Sequence, residues 1–263
     1  MQLLAAVSND AELMPSLVHA LDQELGTVHA QPPFIWTVGH YGDGRALTRR
    51  RPVDAPATLH GLVPDVHSRV LLACRSQADV GEPAPHRFRR WLFGQVGDLS
   101  ALSSVQAQVA ERLPTDLGEE LGHGSPGRLA FAMVLAELRR AGVLDDPLAN
   151  PESVRKAAGA GFDAVVRMAS EHGELRAGFS MSDGRQLLMR SAGVPLCIHE
   201  RMGLEGLVEG PPDPARTDFK ELVSALKRFR AVVVASDVVA PGWKPLPQGV
   251  SSIDLQLELR SEP

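Results

Sequence analysis

The chain has 263 residues, enough to bury a full hydrophobic core in one large domain or two small ones. Its apolar share of 44% and charged share of 22% are typical of a globular protein, and its 24 glycines and 20 prolines indicate many turns. A formal net charge of −5 argues against a general nucleic-acid-binding or membrane-surface role.

Composition also predicts the compartment and the absence of a metal. The sequence has no apolar run of about 18 residues and no basic segment before its apolar start, so neither a membrane span nor a signal peptide is predicted. Cys74 and Cys197 lie in apolar runs, which favours two buried thiols in a cytoplasmic protein over a disulfide. The nine histidines are scattered and no Cys-x-x-Cys or His-Glu-x-x-His motif occurs, so we expect no metal site and no cofactor.

Short apolar runs typical of strands dominate the first part of the chain. One segment near the start instead has apolar residues at helical spacing. A run rich in β-branched and aromatic residues ends at a Gly-Asp-Gly turn, which predicts a hairpin with the segment that follows. The predicted elements are strand Gln2–Val7, helix Asp10–Leu25, the hairpin of Phe34–Tyr41 with Arg45–Arg51, and strands Val70–Cys74 and Arg90–Phe93.

The segment Pro85–Ser100, PHRFRRWLFGQVGDLS, is the most informative in the chain. It predicts a Pro-His-x-Phe turn, a short strand Trp91–Phe93 and a Gln-Val-Gly-Asp turn. Backbone amides at such a strand end are pre-organised donors for an anion or oxyanion, and an ordinary structural turn is the alternative. Two short basic clusters, predicted as solvated faces, are Arg49–Arg51 and the set Arg87, Arg89 and Arg90.

Helices and then strands follow in the second half. The predicted elements are helices Ser104–Leu113, Arg128–Ala141 and Glu152–Ser170, the hairpin of Leu175–Ser182 with Gln186–Arg190, strand Val194–Glu200, a helix through Phe219–Leu226, strand Ala231–Val239, turn Pro241–Gln248 and a last strand Ile253–Leu259. This order lacks the alternation of strand and helix that is typical of a doubly wound sheet. It predicts an α+β fold in which helices flank two packed antiparallel sheets, as one domain of residues 1–263.

Six segments, in order, are similar to motifs of one family. They are Gln2–Ala5, Trp36–Gly44, Leu71–Ala78, Pro85–Ser100, Ser182–Met189 and Val232–Gln248. On these motifs the chain resembles the class II glutamine amidotransferase-like proteins, which are N-terminal-nucleophile hydrolases with a four-layer αββα sandwich. The resemblance implies the same fold here.

The resemblance also implies a chemistry. In that family the thiol of an N-terminal Cys attacks an amide carbonyl, and its own α-amine acts as the base. An Asn side chain and the following Gly amide hold the oxyanion. An Arg after the third strand binds the glutamine α-carboxylate, and an Asp at a helix start binds its α-amine.

Several of these groups are missing from the chain. Gln2 stands at the nucleophile position, or the Cys has been deleted, and because Gln is large we expect Met1 to remain and to block the amine base. Val96 replaces the oxyanion Asn, and Ser125–Arg128 replaces the helix-start Asp. Cys74 is no substitute nucleophile, because alternation along a strand directs it away from the face of Arg75. Loss of a nucleophile costs roughly 10⁴–10⁶ in kcat, so we expect no catalytic residue.

Three residues remain in register with the family motifs and are the candidate ligand-binding residues: Arg75, His86 and Gly97. For Arg75 the alternative is a structural ion pair, and for His86 it is stabilisation of a turn. Gly97 offers only its backbone amide.

The sequence thus favours a degenerate glutamine amidotransferase-like protein, a binding or regulatory component or a complex subunit that does not hydrolyse glutamine. A protein partner and a small amino-acid-like ligand are expected, and nucleic acid and membrane are not. The alternative is an active amidotransferase or amidohydrolase that releases ammonia, with a processed start or another nucleophile. A third hypothesis, assembly through the basic segment, depends on Arg89 and Arg90.

Overall fold

Two antiparallel β-sheets and six α-helices form the part of the chain that this computed structural model describes, residues 2–25, 34–50, 58–77, 83–204, 217–247 and 249–262. The strands are β1 Gln2–Ser8, β2 Phe34–Gly42, β3 Arg45–Arg50, β4 Val70–Gln77, β5 His86–Phe88, β6 Trp91–Asp98, β7 Arg176–Ser182, β8 Gln186–Ala192, β9 Leu196–Met202, β10 Arg230–Ser236, β11 Lys244–Pro245, β12 Val250–Asp254 and β13 Leu259–Glu262. The helices are α1 Met14–Leu25, α2 Gln106–Ala110, α3 Thr115–Leu121, α4 Pro126–Arg140, α5 Pro151–His172 and α6 Thr217–Arg228.

The strand order shows how the sheets are built. The first sheet has the order β11-β9-β10-β1-β4-β2-β3, and the second has β13-β12-β8-β7-β6-β5. Every pairing between neighbouring strands in these orders is antiparallel. The edge strands are therefore β11 and β3 in the first sheet, and β13 and β5 in the second.

Strand β1 explains the layers. Leu3 and Val7 point into an apolar core between the two sheets, whereas Leu4 and Ala6 point into a second core under α1. A strand buried on both faces needs a continuous apolar sequence rather than an alternating one, which is why this run was recognisable. A third core fills the space between the second sheet and helices α4 and α5. The predicted αββα arrangement is confirmed.

Helix α4 fixes the geometry beside the second sheet. The Ser125 side chain caps its first turn by accepting a hydrogen bond from the Arg128 amide, 3.3 Å away. Phe131 in its interior stacks on Phe93 of β6, with ring centroids 5.1 Å apart. Behind it, Gly161 of α5 permits close helix packing, because a Cβ there would lie 2.6 Å from the Cα of Val134. The start of α4 is therefore held firmly against β6.

The structure corrects the prediction for Pro85–Ser100. The Pro-His-x-Phe turn is strand β5, and the turn falls at Arg89, with φ 51°. Strand β6 does not stop at Phe93 but continues to Asp98, so Gln-Val-Gly-Asp is no turn. These four residues pair in register with Arg176–Phe179 of β7, which satisfies their backbone groups. A distant strand has overridden local turn preference.

Other predicted boundaries also shift. Helix Asp10–Leu25 begins only at Met14, Val70–Cys74 extends to Gln77, and Ala231–Val239 ends at Ser236. The last strand is two, β12 and β13, and the predicted helix Ser104–Leu113 is a 3-10 turn Ser100–Val105 followed by the short α2. Helix α3 was missed. The predictions for Met1, Arg51, Ala78 and Gln248 lie outside the described residues.

Tyr41 links the two sheets through its phenol. Its Oη lies 2.8 Å from the carbonyl oxygen of Ser182 in β7 and 3.1 Å from that of Arg90, in the turn before β6. Desolvation by burial raises the pKa of Tyr41, which keeps the phenol protonated as a donor. The tie holds the hairpin of β2 and β3 against the ends of β6 and β7.

We expect Tyr41→Phe to lower the free energy of unfolding by about 1–2 kcal/mol, because two carbonyls lose their shared donor. Chemical denaturation measures the change. Ser180→Ala is the control, since the Ser180 hydroxyl is buried but has no hydrogen-bond partner among the described residues. Equal losses in the two variants would contradict a specific role for the phenol.

Candidate functional site

Gln2 and Arg75 form a hydrogen-bonded pair where the resemblance places the nucleophile. The register of β1 and β4 sets Gln2 directly opposite Arg75, and Arg75 is opposite Trp36 on β2. Arg75 Nη1 donates a hydrogen bond to Gln2 Oε1 over 3.1 Å. The Arg75 guanidinium also lies 4.4 Å from the centroid of the Phe34 ring. We call this contact the Gln2–Arg75 pair.

The contacts of Arg75 bear on its two predicted roles, which are binding of a ligand carboxylate and a structural ion pair. Desolvation by burial lowers the pKa of its guanidinium, which nevertheless stays charged as in all proteins. Its bonded partner is an amide oxygen and not a carboxylate, so the structural ion pair is wrong for the described part of the chain. Its Nε is buried and has no hydrogen-bond partner there. Arg75 thus keeps capacity to bind an anion.

A cavity of about 240 Å³ lies between the end of β4, strand β6 and the start of α4. Its lining includes Arg75, Ser76, Gln95, Gly97 and Ser125, and we call it the Arg75 cavity. Ser76 is only 5% exposed, and its Oγ and the Gln95 Oε1 are buried without a hydrogen-bond partner among the described residues. The cavity wall therefore combines a cation with two unpaired oxygen atoms, and the Asp98 carboxylate also lines it.

Val96 and Gly97 differ sharply in their positions on β6. Val96 is 3% exposed and lies in the apolar core between the sheets, so the position that the resemblance aligns with the oxyanion Asn holds no side-chain donor. Gly97 has φ +98°, and a Cβ there would lie 2.0 Å from the carbonyl oxygen of Arg176. Gly97 is required by the backbone itself, and it also lines the Arg75 cavity.

The start of α4 contributes no carboxylate to this cavity. Ser125 caps its own helix, as described above, and Arg128 Nη2 donates a hydrogen bond to the carbonyl oxygen of Glu120. Ser125 and Arg128 are thus used for local structure.

His86 is placed elsewhere. It lies in β5, opposite Phe93 of β6, is 7% exposed and lines a different cavity of about 300 Å³ together with Thr37 and Arg87. The expectation of a turn-stabilising histidine is wrong in position, because His86 is in a strand. The structure brings Arg75 and Gly97 together in one cavity and leaves His86 out of it.

The cysteines are unpaired, but only one is fully buried. Cys74 is 3% exposed in the core between the sheets, and its burial raises the pKa of the thiol to about 12. Both Cys74 and Arg75 line the Arg75 cavity, so the expectation that alternation along β4 excludes the thiol from the pocket of Arg75 is wrong. The raised pKa keeps the thiol protonated, which disfavours it as a nucleophile. Cys197 is only half-buried, so the prediction of two buried thiols holds for Cys74 alone.

The basic residues of the β5–β6 hairpin are tied into the fold. Arg89 is half-exposed, and its guanidinium binds the carboxylates of both Asp116 and Asp145. Arg139 also binds Asp116, and this hydrogen bond lowers the pKa of that carboxyl to about 2. Arg90 Nη2 donates to the Val143 carbonyl oxygen over 3.1 Å. The predicted solvated face is therefore correct in that Arg89 is partly exposed. It did not include the contacts that Arg89 and Arg90 make with the rest of the chain.

A further cavity of about 290 Å³ is lined by Gln2 and by residues of a second segment that resembles the family. Ser236 and Asp237, at the end of β10, line it together with Gln2 and Trp36. The Ser236 hydroxyl accepts a hydrogen bond from the Leu3 amide over 3.0 Å. The segments that resemble the family at both ends of the chain thus meet at the start of β1.

Sequence reasoning missed Ser76 and Gln95. Gln95 follows from alternation, because it shares a face with Gly97 on a β6 that continues to Asp98. The amide of Gln95 packs on Gly127, where a Cβ would lie 2.2 Å from Nε2. Predicting the longer strand would have identified Gln95.

Two absences concern the described ranges only. None of the helices there is long and apolar enough to span a membrane. No three His, Cys, Asp or Glu side chains are grouped there so that they could hold a metal ion.

Comparisons with solved structures agree on one fold. The chain is similar to a glutamine aminotransferase class-II domain protein from Silicibacter pomeroyi, with TM-score 0.59, 16% identity and 99% of each chain covered. It is similar to a predicted glutamine amidotransferase from Pseudomonas aeruginosa, with TM-score 0.54, 14% identity and 100% of each chain covered. It also matches 49% of the glutamine phosphoribosylpyrophosphate amidotransferase of B. subtilis, with TM-score 0.51 and 13% identity. No protein-family profile and no curated protein sequence matches the chain.

The layers, the strand order and these likenesses define an N-terminal-nucleophile hydrolase-like fold. Within that class, the fold is that of the class II glutamine amidotransferase domain. The resemblance found in the sequence is confirmed at the level of the fold.

Proposed function

We propose that this protein is a glutamine amidotransferase-like binding or regulatory component that does not hydrolyse glutamine, formed by one domain of residues 1–263. The Gln2–Arg75 pair carries the proposal, because an amide occupies the place of the nucleophile and engages the arginine that the family uses for the substrate carboxylate. Val96 supports it, since no side-chain donor for an oxyanion stands there. A cytoplasmic location fits the two unpaired cysteines.

The Arg75 cavity supports a small amino-acid-like ligand. The Arg75 guanidinium suits a carboxylate, and the unpaired Gln95 Oε1 suits an ammonium or amide donor. Gln2 must then give up its bond to Arg75, and a carboxylate replaces it with a stronger, charge-assisted bond. The amino acids glutamine and glutamate have this pair of groups.

The test has two measurements on the full chain. We expect no ammonia release from L-glutamine above a heat-inactivated control, because the loss of a nucleophile costs roughly 10⁴–10⁶ in kcat. Calorimetry with L-glutamate and L-glutamine should detect binding that Arg75→Met weakens about tenfold or more. Arg140→Met is the control, because Arg140 is 72% exposed and its one ion pair with a described residue is the local one with Glu137.

Ammonia release that Arg75→Met abolishes would contradict the non-catalytic proposal and favour the alternative, an active amidotransferase. Mass determination of the N-terminus then identifies the residue that precedes or replaces Gln2. If neither amino acid binds, the ligand part of the proposal fails and the non-catalytic part stands.

The protein partner is proposed only because the fold is amidotransferase-like and the site is proposed to be non-catalytic. Arg89 and Arg90 give it little support, because their guanidiniums already bind groups of the same chain. Affinity purification from native extract tests for a partner. Charge reversal at Arg89 and Arg90 should leave it bound if these residues serve only the fold.

A further inference from the structure

A cavity of about 300 Å³ lies where the edge strand β3 of the first sheet meets the edge strand β5 of the second. We call it the edge cavity. Arg87 of β5 bridges the two edges, since its Nη1 donates a hydrogen bond to the Ala46 carbonyl oxygen of β3 over 3.3 Å. The polar lining consists of Thr37, Thr48, Arg50, His86, Arg87 and Arg128.

The charges of this lining have one sign. Three arginines line the edge cavity, and none of the described residues that line it is acidic. The whole chain has a formal net charge of −5, so this group of arginines has a charge opposite in sign to the net charge of the protein. Positive charge concentrated in a concave site attracts and holds anions.

A buried hydroxyl points to a ligand independently of the charges. Thr37 is 4% exposed, and its Oγ1 has no hydrogen-bond partner in the part of the chain that the structure describes. An unmade bond at a buried hydroxyl is unfavourable, so such groups are normally satisfied. A ligand oxygen in the edge cavity would accept this hydrogen bond.

The strand register brings the hydroxyls and a cation together. Thr37 of β2 is directly opposite Arg50 of β3, and Thr48 lies two residues before Arg50 on the same strand face. Arg50 has no hydrogen bond or ion pair with any described residue. Its fork of N–H groups is therefore available beside the two hydroxyls.

We propose that the edge cavity binds a phosphate group, as free phosphate or as the phosphate monoester of a small molecule. Phosphate oxygens accept several hydrogen bonds at once, and the planar guanidinium binds two of them side by side. Threonine hydroxyls supply further donors. None of these side chains belongs to the Gln2–Arg75 pair, so a negative result for phosphate binding would not contradict the proposed function.

Calorimetry on the full chain tests the proposal with two probes, inorganic phosphate and glycerol 3-phosphate, at an ionic strength held constant with NaCl. We expect saturable binding of at least one probe at one site. Arg50→Ala should weaken it about tenfold or more, as expected for loss of a charge-assisted bond. Binding of phosphate alone assigns free phosphate, and binding of the ester alone or more tightly assigns the monoester.

Arg49→Ala is the matched control. Arg49 precedes Arg50 on β3, but its guanidinium binds the Leu62 carbonyl oxygen at 3.1 Å and lies 3.6 Å from the Asp65 carboxylate. It removes the same charge without touching the edge cavity, so binding should change less than about twofold. An equal loss in both variants would mean that only the general field attracts the anion, and would overturn the proposal.

Thr37→Val separates binding from folding. The change keeps the side-chain shape and removes a hydroxyl without a protein partner, so the melting temperature without phosphate should not fall. With saturating probe, the wild-type melting temperature should rise and that of the variant should rise less. Absence of saturable binding of both probes to the wild type, or an undiminished rise in Thr37→Val, contradicts the assigned site.

Discussion

Gly97→Ala lowers the free energy of unfolding by about 2–4 kcal/mol, in our expectation, whether or not the site binds a ligand. The backbone at Gly97 has φ +98°, which disfavours any side chain. The added Cβ would also lie 2.0 Å from the Arg176 carbonyl oxygen and 2.9 Å from the Ala177 Cα, so β6 and β7 must separate. Chemical denaturation of the purified variant measures the loss.

Gly44→Ala is the control for backbone strain alone. Gly44 also has a positive φ, 73°, but a Cβ there meets nothing within 4 Å. We expect a loss of about 1 kcal/mol. Similar losses at both positions would show that the contact with β7 relaxes freely. Gly97 would then be retained for its amide in the Arg75 cavity rather than for the packing of the strands.

The second large effect concerns Val96, where the amidotransferase family has its oxyanion Asn. Val96→Asn should lower the free energy of unfolding by about 1–3 kcal/mol, because it buries an amide among apolar side chains. Space is tight there: a Cβ at the neighbouring Gly178 would lie 3.1 Å from Val96 Cγ1 and 2.9 Å from Leu196 Cδ2. Denaturation and ammonia release should be measured on the same preparation, and no activity should appear.

Val239→Asn is the matched control, because Val239 is 102% exposed and the same substitution there should change stability by less than about 0.5 kcal/mol. If Val96→Asn is tolerated as well as Val239→Asn, the core between the sheets is open at this point. An Asn would then fit this position of the fold, which would weaken the proposal that the protein does not hydrolyse glutamine.

The sequence predicted those elements whose structure depends mainly on their own residues. The hairpin of β2 and β3 follows from Asp43 and Gly44, which both adopt positive φ at its turn. The run of β1 follows from burial of both its faces. The continuation of β6 could not be predicted, because Gln95–Asp98 has turn-forming residues and is extended only through pairing with β7, about 80 residues later.

The sequence could identify which residues of the site differ from the family motifs, but it could not identify which of them contact one another. Gln2, Val96 and Ser125 could be located by comparison with the family motifs, whereas the bond between Gln2 and Arg75 joins strands 73 residues apart. His86 was grouped with Arg75 because both match the same family. The structure instead places it beside Thr37 and Arg87, at the meeting of two sheet edges that no single motif spans.

The edge strands of the two sheets bear on self-association. An exposed sheet edge offers unpaired backbone groups to another copy, and this is a common route to aggregation. Strand β5 has three residues and β11 only two, one of them Pro245, which cannot donate to a ladder. The longer edge strand β3 carries arginines at its first and last two positions, whose like charges repel a second copy of the same strand. Three of the four edge strands thus have features that oppose pairing with a second molecule.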